Sequence, residues 1–124
     1  MIVAVGSNET KLWGLTAKGR LDRIAEARGL VDAPVIVNLG HAWDPSWLNF
    51  VAERPGQVVT FDGVPVLAHV TDETERERIR AAMSEGSRVE GLAWEESGNL
   101  TNDELRKRER PFMDRLTPET VRTL

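Results

Sequence analysis

The sequence predicts a three-layer, Rossmann-like α/β domain with a mostly parallel sheet and one hairpin. Three observations predict it. Two short apolar, β-branched runs, Ile2 to Val5 and Val35 to Leu39, each end at a glycine and are separated by one amphipathic helical stretch. A length of 124 residues with 40% hydrophobic residues suits one core and leaves no room for a second domain. An Asp62-Gly63 pair between two further apolar runs has the signature of a tight hairpin.

Taken in order, Ile2 to Val5 reads as a strand buried on both faces and turning at Gly6, followed by the polar stretch Ser7-Asn8-Glu9-Thr10. Thr16 is a plausible N-cap for a helix over 17–28, with Leu21, Ile24 and Ala25 on one stripe and Gly29 as the stop. Pro34 opens the second strand, Val35 to Gly40, and a strand reached through a helix should lie parallel to the first. Asp44-Pro45 starts a short helix with Trp47, Leu48, Phe50 and Val51 buried, and Pro55-Gly56 ends it. The runs 57–61 and 64–70 form the hairpin, and Pro65, which has no N–H to donate, requires an edge or a bulge in it. Thr71 is expected to cap a surface helix running to about Ser84, laced by Glu73/Arg76, Glu75/Arg78 and Glu77/Arg80 and burying only Ile79, Ala82 and Met83. Val89 to Trp94 reads as a last strand. Thr101 and Glu104 form a capping box before a helix over 105–110, and a further helix from Thr117-Pro118 is still running at Leu124. Residues 1–100 thus form the α/β domain and 101–124 a helical extension that should lead toward further chain.

The charge and composition exclude several classes. A net charge of -4 and a pI of about 5.2 give no electrostatic reason to seek a phosphate backbone, so nucleic acid is not an expected partner. With no cysteine there is no disulfide framework and no thiolate metal site, which suits a cytoplasmic location. The apolar N-terminus is too short for a signal peptide, and no run approaches a membrane span. Within the last 24 residues Arg106, Lys107, Arg108 and Arg110 form a basic knot, readable either as a solvated helix face or as a contact for anionic lipid headgroups.

Chemistry is expected first at the carboxyl ends of the parallel strands. Gly6, Ser7, Asn8, Thr10 and Lys11 form a candidate phosphate loop, and Trp13, His41, Trp43 and Asp44 a candidate pocket. Each has a simpler account: a strand-to-helix connection for the loop, a helix start for Asp44, satisfied and partly buried imidazoles for His41 and His69, and packing for the tryptophans. Ser7 and Ser46 have no histidine and acid at usable spacing, so no nucleophilic catalyst is expected.

The stretch Gly6 to Thr16 resembles the signature loop of sugar-nucleotide and related nucleotidyltransferases through Thr10-Lys11-Leu12 and Leu15-Thr16. It departs from that loop at Glu9, where the resemblance implies glycine, and at Lys11, where it implies arginine. His41 stands where the resemblance implies a magnesium-binding aspartate. Only 34 residues separate Gly6 from Gly40, so the part that would hold base and sugar is expected to be missing, giving a truncated nucleotide-diphospho-sugar-transferase-like fold.

Lys11 to Thr16 with Arg20-Leu21 and Arg23, His41 to Pro45, Arg54 to Val59, Leu105 to Phe112, and Leu116 to Thr120 are together similar to the cytosolic N-terminal nucleotidyltransferase-like region of bacterial CDP-alcohol phosphatidyltransferases. The family's catalytic run of aspartates on membrane helices is absent, since Asp62-Gly63 does not continue it. The resemblance therefore implies a non-catalytic accessory or docking domain of a phospholipid-synthesising enzyme on the cytoplasmic side of the inner membrane, without cofactor. Its expected partner is the enzyme's own membrane-embedded domain, with a homodimer and an anionic lipid surface as further expectations. Two alternatives stay open: a minimal nucleotidyltransferase using Lys11 and Lys18 on phosphates and Asp44 on Mg²⁺, with a cytidine nucleotide, and a stand-alone cytosolic interaction domain using the charged helix.

Overall fold

The computed structural model describes residues 2–6, 14–87, 94–96 and 113–117, the stretch 94–96 as backbone alone. The described elements run β1 (Val3–Val5), α1 (Ala17–Arg28), β2 (Val35–Asn38), β3 (His41–Trp43), α2 (Ser46–Ala52), β4 (Val58–Phe61), β5 (Val64–His69), α3 (Glu73–Glu85), β6 (Trp94–Glu96) and β7 (Met113–Arg115). β1, β2, β5, β4 and β6 form one sheet in that order, and β3 and β7 form a separate pair.

The fold is α/β with helices packed on both faces of the sheet, because successive residues of the central strands point to opposite faces. Val35 and Val37 of β2, Val59 of β4 and Leu67 of β5 pack with α1 and α2, through Leu21, Ala25, Trp47, Leu48 and Val51. Ile36, Val58 and Ala68 face the other way and pack under α3, through Ile79 and Met83. Burying each such aliphatic side chain is worth about 1.5–3 kcal/mol, so both faces of the sheet contribute to stability.

β1 and β2 are parallel, as the β-α-β spacing requires. The sheet as a whole is mixed rather than mostly parallel: β5 runs antiparallel to both β2 and β4, and β6 lies parallel to β4. The hairpin causes this, since it inserts both its strands into the sheet with β5 against β2. Its turn has Asp62 at φ 52° and Gly63 at φ 81°, the left-handed pair that a type I′ turn demands. Pro65 is accommodated twice over. The β4–β5 register shifts between Val59 and Thr60, and the β2 ladder ends at Val37↔Leu67, short of the proline.

Local signals set the helix ends. The Thr16 hydroxyl accepts from the Gly19 N–H, and Gly29 closes α1 in the left-handed conformation. α3 is capped by Asp72, whose carboxylate accepts from the Glu75 N–H, and not by Thr71. Aspartate at that position adds a negative charge at the positive end of the helix, which threonine would not. The helix reaches Glu85, one residue past the expected end, and keeps the predicted buried side of Ile79, Ala82 and Met83.

Two strands differ from expectation. The second strand stops at Asn38, and Leu39-Gly40 turns the chain into β3 instead of releasing it as a loop. β7 pairs antiparallel with β3, so part of the 101–124 extension returns onto the domain as a strand. The last strand of the main sheet is described over Trp94–Glu96; residues 89–93, the capping box at Thr101, the helix over 105–110 and the helix beyond Thr117 lie outside the described residues. Among the described residues no helix is long and apolar enough to cross a membrane.

Candidate functional site

The carboxyl ends of β1 and β2 lie side by side, joined by the Leu39 N–H donating to the Val5 carbonyl at 3.0 Å. Gly6 leaves β1 with φ 89°, a turn that a side chain would strain. Ser7, Asn8, Thr10, Lys11 and Trp13, together with Glu9, lie outside the described residues, as do Arg106, Lys107, Arg108 and Arg110.

Asn38 organises the end of β2. Its amide donates to the Pro65 carbonyl at 3.0 Å and its carbonyl accepts from the Gly40 N–H at 2.9 Å. The first bond fastens β2 to β5 where their ladder has ended, and the second fixes the turn into β3. Nothing in the sequence pattern marks Asn38 out beyond its being a polar residue at the end of an apolar strand.

His41 begins β3. It is 9% exposed, and neither ring nitrogen has a hydrogen-bond partner among the described residues. Its ring stands edge-on to Phe61 at 5.8 Å between centroids. Burial pushes its pKa down to about 4, the nearby Arg115 cation pushes the same way, and Asp114 and Asp62 oppose them. The imidazole is therefore neutral at pH 7. The expectation of a satisfied histidine fails here, because β3 and the returning β7 enclose the ring without offering it a donor or an acceptor. It holds for His69, which is 8% exposed and whose Nδ1–H donates to the Val51 carbonyl at 2.9 Å.

Trp43 is buried in the larger core cluster, which leaves no open face for stacking on a base. Its carbonyl accepts from Arg20 of α1 at 3.2 Å. The Arg20 guanidinium is half-buried, and burial lowers its pKa while the Asp44 carboxylate pulls it back up. Asp44 Oδ1 accepts from both the N–H and the hydroxyl of Ser46 at 3.0 Å, so this carboxylate starts α2 as the Asp-Pro pair implied. Pro45 already has helical angles, φ -52° and ψ -27°, as the first turn requires.

His41, Trp43 and Arg20 line a cavity of about 20 Å³ between α1 and β3, closed by Leu39, Ala42 and Leu116. That is room for about one water molecule. On the opposite side His41 and Arg115 border an open cleft of about 370 Å³ beside the end of α3, with Asn38, Ser84 and Glu85. Among the described residues no three histidine or carboxylate side chains converge as metal ligands.

This arrangement can hold a neutral imidazole in place, brace one turn and tie α1 to β3. Set against known proteins, the chain matches no family model, no curated protein and no solved structure.

Proposed function

We propose that this chain is a non-catalytic docking domain, a shortened Rossmann-like relative of the nucleotidyltransferases that serves a membrane-bound CDP-alcohol phosphatidyltransferase. The observation that carries the reading is His41. At the end of β2, where a transferase would offer a carboxylate to Mg²⁺, this chain offers a neutral imidazole that is nine-tenths buried. Magnesium is a hard ion that takes oxygen ligands in an octahedron, so these residues do not fit it. Asp44, three residues on, is committed to the start of α2.

The surrounding space supports the same reading. A cavity of about 20 Å³ is far below the roughly 300–1,000 Å³ of a small-molecule site. The wider cleft is bordered by the carboxyl end of α3 and by Glu85, which present negative charge to a phosphate, and by a single cation, Arg115, among the described residues. Docking then falls to the outer surfaces, such as the Glu/Arg pairs of α3, three i,i+3 pairs along the helix.

Isothermal titration with CTP, ATP and CDP-alcohols in Mg²⁺ tests the reading. Heats of dilution alone are expected. Micromolar, Mg²⁺-dependent binding followed by pyrophosphate release would overturn it.

A further inference from the structure

Residues 113–117 are held to the domain around one point. β7 pairs with β3 through His41↔Arg115, Ala42↔Asp114 and Trp43↔Met113. The Leu116 N–H donates to the Gly40 carbonyl at 2.9 Å, and the Leu116 side chain plugs the larger core at 3% exposure. Arg115 approaches Asp62 of the β4–β5 turn at 4.0 Å, with both side chains largely exposed. Under this short ladder lies His41, with both ring nitrogens enclosed and without partners among the described residues.

An imidazolium carries two N–H donors and a charge. Both ring nitrogens of His41 are enclosed and have no acceptor among the described residues, and burying such a cation is costly. The charged groups around it cannot absorb that cost. Arg115 of β7 repels it, Arg20 of α1 lines the same small cavity without attracting it, and Asp114 and Asp62 attract it less than burial and Arg115 oppose it. Glu85 at the end of α3 stands across the open cleft and is itself solvated. The direct relief is to lift β7 and let water reach the ring.

We propose that β7 and Leu116 form a proton-released clasp: the closed state keeps His41 neutral, and protonation of the imidazole frees residues 113–117 from β3. Closed, the group titrates at about 4; released, it returns to the ordinary 6.5. A group whose pKa is depressed in the closed state leaves closure at full strength above 6.5. As the pH falls, closure weakens tenfold per pH unit, and the weakening ends near pH 4. From well above pH 6.5 to well below pH 4 the opening equilibrium rises about 300-fold in all.

Amide hydrogen exchange on the whole chain reads this directly. After correction for intrinsic exchange, protection of the Leu116 amide should fall about 100-fold between pH 7 and pH 4. It should stay insensitive to low urea, the mark of a local opening, while the β2–β5 ladder exchanges far more slowly. In His41→Leu the Leu116 amide should show no such pH dependence. Exchange of Leu116 only together with the β2–β5 ladder, or an unchanged pH slope in His41→Leu, would overturn the clasp. Should His41→Leu fail to fold, NMR titration of the imidazole decides: Leu116→Ala should raise the His41 pKa from about 4 toward 6.5, and an unchanged value refutes the proposal.

Discussion

Truncating Asn38 to alanine removes both bonds that fasten the end of β2, the one to Pro65 at 3.0 Å and the one from Gly40 at 2.9 Å. Each net bond is worth about 0.5–1.5 kcal/mol, and a partner left buried without replacement costs about 1–3 kcal/mol. Asn38 is 6% exposed, so water does not readily substitute for it. The expected loss is about 2–4 kcal/mol, a large part of the roughly 5–15 kcal/mol that holds a domain together. Urea denaturation followed by circular dichroism measures it, and with a slope near 1–3 kcal/mol per M the midpoint should drop by about 1–2 M. Asn38→Asp separates the two bonds. Its carboxylate keeps the Gly40 contact but faces the Pro65 carbonyl, which raises its pKa above that in the unfolded chain. That pKa difference penalises the variant above its folded pKa and is relieved as the pH falls through it, because the acid form regains a donor. The variant should therefore lie well below the parent at pH 7 and close part of the gap at pH 4. A loss under about 0.5 kcal/mol for Asn38→Ala, or no gap for Asn38→Asp at pH 7, would refute the reasoning.

Two further substitutions test the frame around the site. Ile79 is fully buried between α3 and the sheet, so Ile79→Ala should cost about 2–5 kcal/mol in denaturant unfolding with an unchanged slope. Asp44→Ala should cost about 1 kcal/mol through the lost helix start, with Asp44→Ser recovering most of it in thermal unfolding.

The parts of this fold that could be read from the sequence are those set by local chemistry. Thr16 and Gly29 bracket α1 because a hydroxyl and a left-handed residue satisfy helix ends wherever they occur. Asp62-Gly63 announces its turn for the same reason. The β-branched runs at 2–5 and 35–39 identify strands, of which β2 is buried on both faces while β1, at the sheet edge, is only half-buried, and one intervening helix makes them parallel. Long-range pairing leaves no such trace. Nothing near Val64–His69 says that β5 will lie beside β2, so the mixed sheet was not foreseen. Met113–Arg115 is three residues with no alternation, and it becomes a strand only because β3 is there to pair with.

The candidate site divides in the same way. Asp44 was legible as a helix start because Asp-Pro carries that meaning locally. The separate condition of the two histidines was not: His69 meets the Val51 carbonyl from a helix 18 residues earlier, whereas the His41 ring stands edge-on to Phe61 with no hydrogen-bond partner among the described residues. Arg20 reaching the Trp43 carbonyl joins residues 23 positions apart, a contact that no spacing announces.

The central claim, that the ends of β1 and β2 do not assemble a nucleotide–metal centre, is tested most directly by NMR with Mn²⁺ and CTP. A manganese–nucleotide complex seated there would broaden the amides of Val5, Asn38, His41 and Trp43 selectively through its unpaired electrons. The account predicts no selective broadening at these residues while free manganese is chelated by excess nucleotide. Loss of those four signals at substoichiometric metal, restored by EDTA, would contradict it.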